Sequence, residues 1–278
     1  MLSSGLGKYV GPASLGVGYT ILKIISLRAL DSNLAISQDL TYQFLAGILL
    51  GFALRPVTTM IYWKWKTSIF FFTLFLLIVG PISQILRQMF WGIQFDYTFW
   101  LLLFPEISAA FGVSILATII LPPQKKNIGL VLLWKRFKKE LHLTGYLKLV
   151  FCGLIYAFLF LILQIIFNDS YTSPFWTERL QELLNLPPIS IHGKVFLLWI
   201  QGVLNTIILV PLFLVFLRDR VELIIVLGSL VFVVSVFSPA FANFQRIEPL
   251  LLLDQVFIGF CLNFTFVAST VFCFGRKK

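Results

Sequence analysis

A chain of 278 residues that is 59% hydrophobic and only 12% charged, with a mean hydropathy of +0.93, carries more apolar surface than a soluble core of that length can hide. That excludes a soluble globular enzyme. The net charge of +10 has no soluble basic domain behind it, so a nucleic-acid partner is excluded as well. The expected fold is all-α, a polytopic membrane helix bundle.

Apolar stretches of about 20 residues, the length that crosses roughly 30 Å of hydrocarbon, occur about eight times. The first, Tyr9 to Leu27, contains Gly11, Gly16 and Gly18, with Lys23 near its outer end and expected to snorkel. The second, Thr41 to Trp63, holds Arg55 before Pro56; the proline predicts a kink, and the charge either snorkels toward Lys64 or lines a path from below. The third, Thr67 to Leu86, ends in "VGPISQILRQ", and the fourth, Tyr97 to Leu121, contains "LFPEIS". An ionised carboxylate at Glu106 costs several kcal/mol in hydrocarbon unless it is paired, hydrated or protonated, so it marks a partner, a cavity or a proton site.

A basic connector over 125–146 follows. Within it Leu130, Leu133, Trp134, Phe137 and Leu141 recur at helical spacing opposite Lys135, Arg136, Lys138 and Lys139. This pattern predicts an in-plane helix over 129–143 on an anionic cytoplasmic leaflet, contacting lipid or a protein partner. The fifth span is Leu147 to Phe167. Beyond it, residues 174–186 predict a short outer-face helix, with Pro174 at its first position and Pro187 as its stop. The sixth span, Val195 to Phe216, places Gln201 and Asn205 one turn apart ahead of Pro211. The seventh runs from Val221 to Phe241; the eighth, Leu250 to Phe274, begins near Asp254 and contains Asn263.

Loop charges alternate. One side receives 15 of the 22 basic residues, including Lys64, Lys66, the run from Lys125 to Lys148, Arg218, Arg220 and the C-terminal cluster. By the positive-inside rule both termini are cytoplasmic, in the plasma or inner membrane of a cell. The halves 1–124 and 147–278 then share one orientation. Matching "VGPISQILRQ" to "FSPAFANFQR", and "LLLFPE" to "LLLLD", suggests two parallel four-helix repeats. On that correspondence Glu106 and Asp254 lie in the outer half, with Arg87 and Arg246 as their natural partners.

Catalytic and metal chemistry find little support. The only histidines, His142 and His192, fall in opposite loops, and Cys152, Cys261 and Cys273 read as small hydrophobes. In gross plan the chain resembles the glutamate-dependent intramembrane CAAX-type proteases, yet Glu106 stands alone, without their Glu-Glu-x-x-x-Arg motif or intramembrane histidines. No catalytic residue, metal site or cofactor is expected. The leading expectation is a transporter or channel-like protein whose path is lined by Glu106, Asp254, Arg87, Arg246, Arg55, Gln201 and Asn205. A non-catalytic subunit or assembly factor, with protein partners or as a homo-oligomer, is second, and a membrane-embedded lipid enzyme third.

Overall fold

The computed structural model describes residues 7–30, 40–61, 63–90, 97–121, 128–171, 190–213, 219–242 and 249–275. All of the regular structure among them is helical: α1 (Gly7–Leu30), α2 (Leu40–Met60), α3 (Trp65–Leu77) running through a π turn (Ile78–Ile82) into α4 (Ser83–Phe90), α5 (Tyr97–Ile120), α6 (Leu130–Glu140), α7 (Leu143–Tyr171), α8 (Ile191–Phe213), α9 (Arg220–Phe232) running through a second π turn (Val233–Phe237) into α10 (Ser238–Ala242), and α11 (Pro249–Phe274). The expected outer-face helix over 174–186 and Arg246 lie outside the described residues, as does the side chain of Asp254.

Five of these segments are long and apolar enough to cross a membrane: Trp65–Arg87, Leu143–Ile166, Ile191–Phe213, Arg220–Ala240 and Gln255–Phe274. Val10–Ser26 and Phe104–Ile120 are shorter apolar helices. The distribution of side chains agrees with a lipid surround. Ile119, Phe158 and Phe272 are 68%, 66% and 63% exposed, while Gln201, Thr206 and Thr270 are fully buried. A soluble protein does the reverse. The chain is an all-helical integral membrane protein.

Packing follows a pattern that recurs. Helix α1 packs on α2 and α5, and α3 packs on α5; in the second half α7 packs on α8 and α11, and α9 packs on α11. At one end of the bundle the halves cross over, α4 lying on α8 and α10 on α2, and the two π turns touch each other. One apolar core runs through both halves, from Leu54, Trp63 and Phe75 to Tyr156, Leu209 and Phe266. Glycines set the closest approaches. A methyl group on Gly16 would stand 2.3 Å from the Ile48 nitrogen, and one on Gly202 would stand 2.9 Å from the Gly153 Cα. Only a residue without Cβ permits backbones that close.

The spacing of these features is constant. Gly47 and Gly202, Pro56 and Pro211, Ser83 and Ser238, and the starts of the two π turns, Ile78 and Val233, are each 155 positions apart. This register differs from the one expected from the prolines: Pro81 lies inside its π turn, whereas Pro239 lies just beyond the second. The chemistry explains both positions. A proline lacks the N–H that bonds the carbonyl four residues earlier, and its ring pushes that carbonyl aside, here Leu77 and Ser235, so a widened turn relieves the clash in each case. Ser83 completes the first turn, its hydroxyl donating to the Ile78 carbonyl at 2.8 Å.

Helix α6 forms where the basic connector was expected, but its apolar stripe divides. Leu133 and Phe137 are buried against the bundle, whereas Leu130 and Trp134 are exposed together with Lys135, Arg136, Lys138 and Lys139. The start of the helix is pinned by the Lys64 amide, which donates to the Ile128 carbonyl at 2.9 Å.

Candidate functional site

The first polar centre is built on Glu106. Helix α5 carries it inward of Pro105, and the packing of α1 on α5 brings Lys23 opposite. The Lys23 Nζ stands 2.7 Å from Glu106 Oε1, with the side chains 19% and 30% exposed. Both line a cavity of about 430 Å³. Tyr19 and Gln43 line it from α1 and α2, Pro81 and Gln84 from the first π turn and α4, and Ser238 and Pro239 from α10 of the other half. The Lys23 ammonium lies 5.8 Å from the centroid of the Tyr19 ring, and Gln43 Oε1 is buried without a hydrogen-bond partner. Three residues beyond Lys23 on α1 and two beyond Glu106 on α5, the Ser26 and Ser108 hydroxyls share a hydrogen bond that closes the α1–α5 contact.

This arrangement corrects two expectations. Lys23 does not snorkel free of a partner, and Glu106 pairs with it rather than with Arg87. The reason is topological: α4 turns away from α5 to lie on α8, so Arg87 is carried into the second half. The clue available in the sequence was depth, because Lys23 is seven residues from the C-terminal end of α1 and Glu106 nine from the N-terminal end of α5, which puts opposite charges at one level.

The second polar centre is assembled around Arg87. The Ser83 hydroxyl donates to Asn205 Oδ1 at 3.3 Å, fixing α4 against α8. One turn along α4 is Arg87, and one turn back along α8 is Gln201. Arg87 is the cationic neighbour of the Tyr156 hydroxyl, and Tyr156 in turn abuts Gly202. Gln201 and Asn205, read as path residues, are buried here. Arg55 is half-buried beside Pro56 on α2 and does not line the Lys23–Glu106 cavity. Trp134, Lys135, Arg136, Lys138 and Lys139 share the exposed side of α6 and take no part in either centre. Among the described residues no cluster of His, Cys, Asp and Glu is placed to hold a metal ion.

No protein-family model, curated protein or solved structure matches the chain. The class is that of an integral membrane helix bundle.

Proposed function

We propose that the protein is an eight-span membrane transporter, built from two four-helix units of like orientation with both termini cytoplasmic, that moves a small solute through the polar cavity of the first unit. The observation that carries this reading is the Lys23–Glu106 pair facing a 430 Å³ cavity. A clamp between α1 and α5 has no use for so large a space, whereas a binding pair requires one. Solutes that carry both charges match the pair best. A lone anion entering meets Glu106 and a lone cation meets Lys23, while a zwitterion exchanges one internal ion pair for two and leaves the net charge at zero. Two parallel units whose π turns touch beside the cavity provide an axis on which one unit can rock against the other. With no nucleotide-binding motif in the chain, uptake would draw on an ion gradient or on an ATPase carried by another chain.

The test is uptake of labelled amino acids and betaines by proteoliposomes of the full chain. Accumulation of at least one zwitterion, reduced about tenfold or more in Glu106→Gln and in Lys23→Met, supports the reading. Accumulation of none, or equal accumulation in both variants, overturns it. A second reading, a non-catalytic membrane subunit, draws on the exposed side of α6, where Trp134 stands among four cations. It requires a partner that co-purifies in fixed proportion and is lost when Trp134, Lys135 and Arg136 are replaced together.

A further inference from the structure

The Lys23–Glu106 cavity changes character along its length. Helix α2 runs antiparallel to α1: the Thr20 hydroxyl donates to the Gln43 carbonyl at 3.2 Å, and further along α2 a methyl group on Gly51 would meet the Pro12 carbonyl. Helix α5 is also antiparallel to α1, with Ser108 beside Ser26 and Gly112 beside Leu22. Helix α3 starts at the Lys64–Ile128 contact, just past the end of α5, and so runs back the other way. Distance from the ion pair can therefore be followed along each helix. On α2 the lining passes from Gln43 to Leu50, seven residues on; on α5 from Glu106 to Ala110, four on; and from Gln84 on α4 back to Leu76 on α3, eight away. All three walls turn from polar to apolar in the same direction. Leu50, Leu76 and Ala110 are buried, and Val234 of the second π turn joins them opposite Gly80, where a methyl group would stand 3.7 Å from its Cγ1. At 1.5 Å per residue, this apolar floor lies about 6–12 Å from the polar end.

The geometry points to an α-amino acid with an aliphatic side chain as the solute, its charged head on Lys23 and Glu106 and its side chain on the floor. This inference rests on the transport reading and narrows it. In an α-amino acid the carboxylate and the ammonium share one carbon, so both charges can meet the pair while the third substituent points away from it. Glycine or a betaine has nothing to lay on the floor, and a charged or hydroxylated side chain would lose its hydration there without a partner. An apolar pocket discriminates a single methylene by about tenfold or more, so leucine should be favoured over glycine by at least that factor. Gly80 sets the length accepted. It has no side chain, and Val234 across the floor is at ordinary contact distance, so a branched residue at position 80 would take the space of the solute's own side chain.

The experiment measures initial uptake of labelled leucine, glycine and glycine betaine by proteoliposomes of the full chain, as wild type, Gly80→Val and Ala110→Leu. The expected result is a kcat/KM for leucine about tenfold or more above the other two, with that ratio reduced about tenfold in each variant. Ala110→Leu serves should Gly80→Val, placed in the first π turn, fail to fold. No such preference, with uptake still lost in Lys23→Met, overturns the inference and leaves the transport reading standing. A preference that survives in the variants overturns it as well, because the side chain then lies elsewhere. Uptake of none of the three overturns it whatever other zwitterion is carried.

Discussion

Lys23 and Glu106 are each other's compensation, which sets how they respond to change. Removing one partner strands the other charge inside the bundle, so Lys23→Met and Glu106→Gln should each destabilise the protein by about 2–3 kcal/mol. The double variant strands nothing. Its cost should fall short of the sum of the singles by about 1–3 kcal/mol, a coupling measurable by unfolding the four proteins in one detergent. A coupling near zero would mean that the two groups do not meet. The importance of Glu106 was legible from sequence because a carboxylate in an apolar run has few cheap explanations. Its partner was not, because hydropathy reports how deep a residue sits and says nothing of which helix faces which. Arg87 illustrates the limit. It lies in the segment that precedes α5, yet α4 lies on α8 and carries it to Tyr156.

At the scale of the element, α6 and the first π turn lead to contrasting expectations. Phe137 is buried against the bundle and Trp134 is 57% exposed, although both belong to one apolar stripe. Phe137→Ala should therefore lower stability by about 3 kcal/mol and Trp134→Ala by less than about 1. If the exposed side rests on lipid, replacing Trp134 by Phe should remove a large part of the fluorescence quenching produced by brominated anionic lipid in nanodiscs. Helical spacing revealed the stripe. It did not reveal the division, because a bundle and a membrane surface make the same demand on an amphipathic helix. Pro81→Ala restores an N–H able to bond the Leu77 carbonyl, and the π turn loses its steric cause. That variant should melt at the same or a higher temperature while its uptake of solute falls, whereas a proline with a purely structural role would give a lower melting point and unchanged uptake per folded molecule.

For the whole molecule the crossed helix ends are decisive. With α4 lying on α8 and α10 on α2, each unit supplies a wall to the other. Expressed as two chains divided within 122–127, the halves should co-purify as a one-to-one complex, and either half expressed alone should be degraded. A first half that is stable and soluble in detergent by itself would contradict the interlock. The recurrence of features between the two halves was only partly legible. Pro81 and Pro239, the conspicuous prolines, stand 158 positions apart, while the 155-residue spacing is shared by glycines, serines, Pro56 with Pro211, and the starts of the two π turns. Those residues matter for the space they leave or the carbonyl they satisfy, and neither property stands out in a composition. The crossing also has a consequence for how the protein is made. The cavity's last wall, Ser238 and Pro239, leaves the ribosome long after Lys23 and Glu106 have entered the bilayer. During that interval the ion pair stands beside a cavity that lacks one of its walls. The two charges, by neutralising each other early through the α1–α5 contact, let the first half wait in the membrane for the second to arrive.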